Sequence, residues 1–134
     1  MDKLLDYLKG STMTVLGSTD SIRFDAHGST FSSYVASRNS PQLCAWKLAV
    51  PPRSRGVAHR PSRDEVLLVL DGTLHITIDG VHHRVAPGDV ALVRADAEVI
   101  VDGGPQGAAV WVTTTPGLTA TLGDGTRLAP PWAQ

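Results

Sequence analysis

The sequence predicts an all-β protein folded as a double-sheet jelly-roll barrel, and three observations carry that prediction. From about residue 20 onward, roughly ten short apolar or alternating runs follow one another without a repeat, each ended by a turn signal. The 13 glycines and 9 prolines are spread along the chain and interrupt any long helical pattern. One segment, TLHITI, Asp79-Gly80, VHHRV, has the form of a two-residue hairpin, whose central residues both need positive φ.

The elements follow in order. A short N-terminal helix is expected over 2–9, where Leu4, Leu5 and Leu8 form one stripe that packs on the barrel or on a partner subunit. Residues 1–19 are thus helix and linker, and 20–134 a single β-barrel domain; Met13 is an alternative start, since the fold signals begin after it. SIRF (21–24) and TFSSYVASR (30–38) are strands separated by Asp25-Ala26-His27-Gly28. LCAWKLAV (43–50) is a strong strand, ended by Pro51-Pro52, which removes two amide donors. EVLLVL (65–70) runs to a turn at Asp71-Gly72, and TLHITI (73–78) pairs with VHHRV (81–85). VALVR (90–94), EVIVD (98–102), AAVWVTT (108–114) and LTATL (118–122) complete the strands, with GDG (123–125) another turn.

The hairpin fixes a register. With Asp79-Gly80 as its turn, Ile78 faces Val81, Ile76 faces His83 and Leu74 faces Val85, all on one apolar, interior face. His83 sits at the edge of that face, and His75 and His82 point to solvent. The same parity puts Cys44, Trp46, Leu48 and Val50 together, and Trp111 with Ala109 and Thr113.

Composition narrows the function classes. A chain of 134 residues is long enough to bury roughly two-thirds of its unfolded surface. A net charge of −1 provides no field to gather nucleic acid or an anionic membrane, so neither partner is expected. The single Cys44 permits no intrachain disulfide, the N-terminus lacks a signal peptide's apolar segment, and no apolar run nears a bilayer span. A soluble cytoplasmic protein is expected. No Walker motif or strand-GxGxxG-helix is present, and Cys44, on a strand without a histidine partner in sequence, reads as inert.

Residues 53–72, RSRGVAHRPSRDEVLLVLDG, carry a known pattern in part: Gly, five residues, His-x-His, three or four residues, Glu, six residues, Gly. His59, Glu65 and Gly72 are in place, with Arg53 at the leading glycine and Pro61 at the second histidine. A second pattern, Gly-Asp-x4-Pro-x-Gly-x2-His, aligns with residues 88–99. Gly88 and Asp89 remain, while Arg94, Asp96 and Val99 replace proline, glycine and histidine. Over about residues 43–115, the core motif region, the chain thus resembles the cupin superfamily. The resemblance implies a cupin-type double-stranded β-helix that commonly pairs through its N-terminal strands, so a homodimer is expected.

The family's metal is usually held by three histidines and one glutamate. This chain has His59 and Glu65 from that set, and proline and valine offer no donor atom. No cofactor is expected; the alternative is a divalent metal such as Zn, Fe, Mn or Ni on His59 and Glu65 with His83, Glu98 or Asp96 joining. Without metal, His59 and Glu65 are a proton-handling pair suited to isomerase- or cyclase-like chemistry, unless they are relics of the fold. Arg53, Arg55, Arg60 and Arg63 lie at the expected pocket rim, with Arg94 a fifth candidate. Each is suited to holding a substrate carboxylate bidentately or, alternatively, to a solvated loop paired with Asp64. Trp46 and Trp111 are core or pocket wall, able to stack on a planar ligand; Tyr34 offers a phenol, and Trp132 a tail that docks on a neighbouring subunit.

The reading is a cupin barrel that binds a small acidic or polar-aromatic molecule and acts on it by metal-independent acid–base chemistry. The alternatives are a non-catalytic binding or sensing barrel, and a dioxygenase-like metalloenzyme with an unusual ligand set.

Overall fold

Two long bent strands carry the architecture, each assembled from runs that the sequence presents as separate. The computed structural model describes residues 14–134, so the helix expected over 2–9 lies outside the described residues. The strands are β1 (Ile22–Ala26), β2 (Ser29–Val35), β3 (Cys44–Val50), β4 (His59–Pro61), β5 (Glu65–Ile78), β6 (Val81–Val85), β7 (Val90–Val93), β8 (Val99–Thr114), β9 (Ala120–Leu122) and β10 (Arg127–Leu128). Single 3-10 turns occur at Ser18–Asp20 and Pro131–Ala133.

β5 joins EVLLVL to TLHITI through Asp71-Gly72, and β8 joins EVIVD to AAVWVTT through a glycine-rich stretch. The expected turn at Asp71-Gly72 is instead a bend, with register shifts on both sides of it. The first half of β5 pairs with β7 and the second half of β8; its second half pairs with β6 and the first half of β8. One sheet therefore runs β1-β2-β3-β8-β5-β7 and the other β6-β5-β8-β4-β9-β10, and β5 and β8 pass from one to the other. That curling is the double-sheet barrel expected. Gly72 makes it feasible: its φ is +73°, and a Cβ there would collide with the Gly107 carbonyl of β8.

The hairpin register is as expected. Leu74 pairs with Val85, Ile76 with His83 and Ile78 with Val81, and Asp79 and Gly80 take φ of 48° and 80°. Leu74, Ile76 and Val85 are buried, while Val81 and His83, farther along the edge strand, are exposed. Trp46, Leu48, Leu67, Val69, Val110 and Val112 belong to the buried core of the barrel. Each such side chain, fully buried, contributes about 1.5–3 kcal/mol.

The C-terminal tail closes one end. Trp132 stacks on Phe31 of β2, ring centroids 3.7 Å apart and planes 12° from parallel. Its carbonyl accepts a hydrogen bond from the Cys44 thiol at 3.1 Å, and Gln134 Nε2 donates to the carbonyls of Leu118 and Pro130. Trp132, expected to dock on a neighbouring subunit, thus packs within its own chain. No helix among the described residues is long and apolar enough to cross a membrane.

Candidate functional site in the barrel cavity

Alternation on β2, β3, β5 and β8 sends one side chain in two into the barrel, and these side chains enclose a cavity of about 670 Å3. That is within the range of small-molecule sites. Its wall is largely apolar, with Phe24, Phe31, Trp46, Leu67, Val112 and Trp132 among the residues that line it. His59 and Glu65 both line it.

Glu65 opens β5, its backbone paired with Val93 of β7. No described residue gives its carboxyl a hydrogen bond or an ion pair, and burial alone pushes it up from the ordinary 4.5 to about 7. An acid in that position is still partly protonated near neutral pH and can donate its proton. His59 is on β4, between Val99 of β8 and Leu122 of β9. Its Nδ1 lies 2.9 Å from the Val57 carbonyl. A carbonyl only accepts, so Nδ1 carries the proton in the neutral ring and Nε2 keeps its lone pair. The cavity therefore contains one poised acid and one oriented base.

The metal donors of the family pattern are replaced by apolar surface. Val99 is the direct cross-strand neighbour of His59 and is buried in the cavity wall, while Pro61, two residues along β4, is also buried. The additional ligands considered from sequence do not join. Glu98 pairs with Arg60 at 3.7 Å, Asp96 is exposed in a loop with φ of 66°, and His83 is exposed on β6. Among the described residues no three His, Cys, Asp or Glu come together to hold a metal ion. Two donors beside a valine and a proline do not fit a cupin-type metal.

The arginines divide. Arg55 lines the cavity, and Arg53 lies in a separate outer recess that Arg55 also reaches. Arg60 is engaged at the surface, its Nη1 donating to the Asp96 carbonyl at 2.8 Å. Arg63 and Arg94 are exposed and away from the cavity wall. Asp64, the partner considered for these arginines, accepts instead from the Ala95 amide at 2.7 Å. Trp46 is buried in the wall, and among the described residues its indole N–H has no acceptor. Trp111 is half-buried on the outer face of the sheet, with Tyr34 at 5.5 Å, so neither lines the cavity.

Several wall residues escaped the sequence reading. Arg23, Asp25 and His27 come from the β1–β2 hairpin, where Arg23 Nε donates to Asp25 at 3.3 Å and Thr30 holds the Asp25 carboxyl below its ordinary value. Phe24 and Phe31 are register partners, and Phe31 pairs with Leu48. Extending the inward parity of β3 across that register identifies both. For Trp132 no local signal exists.

Comparison with known proteins agrees with the architecture. Residues 46–104 match the family described as Cupin domain. An RmlC-like cupin from Shewanella frigidimarina superposes with a TM-score of 0.65 at 21% identity, over 77% of this chain and 90% of that one. The polyketide cyclase RemF from Streptomyces resistomycificus gives 0.66 at 17% identity, over 77% and 79%. Bacillus subtilis oxalate decarboxylase gives 0.67 at 15% identity, over 75% of this chain and 28% of that one. In sequence, a Myxococcus xanthus protein named endoribonuclease YbeY is 34% identical over 77 residues, which is 57% of this chain. The match spans about a quarter of that relative's length, 26%.

Proposed function

From the premise that this chain belongs to the cupin superfamily, we propose that its barrel binds a small polar-aromatic or acidic molecule and moves a proton on it without a metal. One observation carries the reading: a partnerless Glu65 raised to about 7 shares an apolar cavity with a His59 whose Nε2 is free to accept. In the reaction Nε2 removes a proton from a carbon made acidic by a neighbouring carbonyl. Glu65 meanwhile donates its proton to the carbonyl oxygen, leaving a neutral enol in place of an enolate. Return of a proton to another atom, or attack of the enol carbon on a second carbonyl, completes an isomerisation or a cyclisation. Phe24, Phe31, Trp46 and Trp132 offer flat surfaces to a planar substrate, and Arg55, in no ion pair among the described residues while Arg23 is held by Asp25, is a cation for a carboxylate.

The polyketide cyclase among the structural neighbours is consistent with such chemistry. The endoribonuclease activity named for the sequence relative is not carried over, because the overlap is a quarter of that protein and the net charge here is −1. A cytoplasmic homodimer joined through the open edge of β1 belongs to the same proposal. The test is deuterium uptake by aromatic β-keto acids in D2O, followed by NMR. Uptake catalysed by the unaltered chain and lost in both His59→Ala and Glu65→Gln supports the mechanism. Binding of such a compound with no uptake would favour the non-catalytic barrel instead.

A further inference from the structure

Outside the barrel, the segment after β3 folds back over the middle of β8. Asp102 Oδ1 accepts from the Gly56 amide at 2.8 Å, the Gly103 amide donates to Ser54, and the Arg53 amide donates to Gly104. Arg53 is held at φ of 57°, a conformation costly for a side-chain-bearing residue. Between this segment and the outer face of the β5–β6 hairpin lies a recess of about 340 Å3, lined by Arg53, Arg55, His75, His82 and Asp102. His75 and His82, expected to point to solvent from one face of the hairpin, are in contact there, with Nδ1 of the first 3.1 Å from Nε2 of the second.

We propose that this recess is a second site, for a small oxyanion: a phosphoryl or carboxylate group. Three observations carry it. The ion pairs among the described residues are Arg23–Asp25 and Arg60–Glu98, so neither Arg53 nor Arg55, which both line the recess, is held in one of them. The single carboxylate there, Asp102, already accepts the Gly56 amide. The histidine pair adds a donor whichever way it is arranged. When His75 Nδ1–H is shared, His82 keeps Nδ1–H free; when His82 Nε2–H is shared, His75 keeps Nε2–H free. The charged groups facing His75 from the adjoining strands are Asp102 on β8 and Arg84 on β6, its register partners. Two guanidiniums repel a divalent cation that the two imidazoles would otherwise attract, which selects an anion over a metal. The recess lies outside the barrel and shares only Ser54 and Arg55 with the cavity wall, so Arg53 is the arginine that belongs to it alone.

The test is titration of the folded chain with inorganic phosphate and, separately, succinate at constant ionic strength, followed by calorimetry and amide NMR shifts. The expected result is saturable binding of one of them with shifts at residues 53–55, 75, 82 and 102–104. Arg53→Ala and Arg55→Ala each weaken it about tenfold or more, and Glu65→Gln leaves it unchanged. Preference between phosphate and succinate identifies the anion class. Absence of saturable binding by either, or shifts confined to barrel residues such as 65, 93 and 99, would overturn the proposal.

Discussion

Replacing Glu65 by glutamine removes a titration that the fold makes costly, and the size of the effect follows from the structure. The carboxyl lies at about 7 in the folded chain against an ordinary 4.5, because the barrel desolvates it without offering a partner. Below the ordinary value the side chain is protonated in both folded and unfolded chains, and stability is unaffected. As pH rises above that value, the unfolded chain releases the proton while the folded chain retains it, so stability falls. The loss levels off once the folded carboxyl ionises near 7, at about 3 kcal/mol. Glutamine has nearly the same shape and no titration. The stability of Glu65→Gln relative to the unaltered chain therefore increases by about 3 kcal/mol between about pH 4 and about pH 8. Urea unfolding of both proteins across that range measures the difference directly, since every other titrating group cancels. A gap that changes by less than about 1 kcal/mol, or narrows as pH rises, would refute the account of a desolvated acid.

Other consequences are open to measurement. Gly72→Ala forces a Cβ into the Gly107 carbonyl at positive φ, so urea denaturation should find it less stable by about 2 kcal/mol or more. Pro61→His combined with Val99→His restores donors on either side of His59. Elemental analysis should then find about one Zn or Ni per chain, where the unaltered sequence retains none in stoichiometric amount. Trp132→Ala breaks the stack on Phe31 and opens the cavity wall, lowering stability by about 2 kcal/mol in the same unfolding assay. A homodimer gives twice the 14.2 kDa chain mass by light scattering; a monomer at that mass would contradict the proposed pairing.

Much of the fold was legible because strand signals are local. The Asp79-Gly80 turn dictates the register of its hairpin, and register dictates which side chains face inward, so the sequence alone places Leu74, Ile76 and Val85 inside, where all three are buried. Pro51-Pro52 ended β3 where expected, at Val50. What misled was also local. Asp71-Gly72 reads as a turn, yet Gly72 serves a bend, because the backbone of β8 crosses close by and only a residue without Cβ fits. Nothing near Gly72 in sequence records where Gly107 lies.

The candidate site divides along the same line. The sequence by itself determined the barrel architecture, the pairing of His59 with Glu65 in one motif, and the loss of donors at Pro61 and Val99, since each depends on residue identity and spacing. Only the tertiary structure decided that Val99 abuts His59 across β4 and β8, and that burial raises Glu65 to about 7. It also decided that Arg60 is spent on Asp96 and Glu98, and that Trp111 faces outward while Trp132 returns from the tail to wall the cavity. A desolvated carboxyl, an arginine's choice of acceptor and the outward side of a strand are set by neighbours tens of residues away. Those neighbours exist only once the chain has closed on itself.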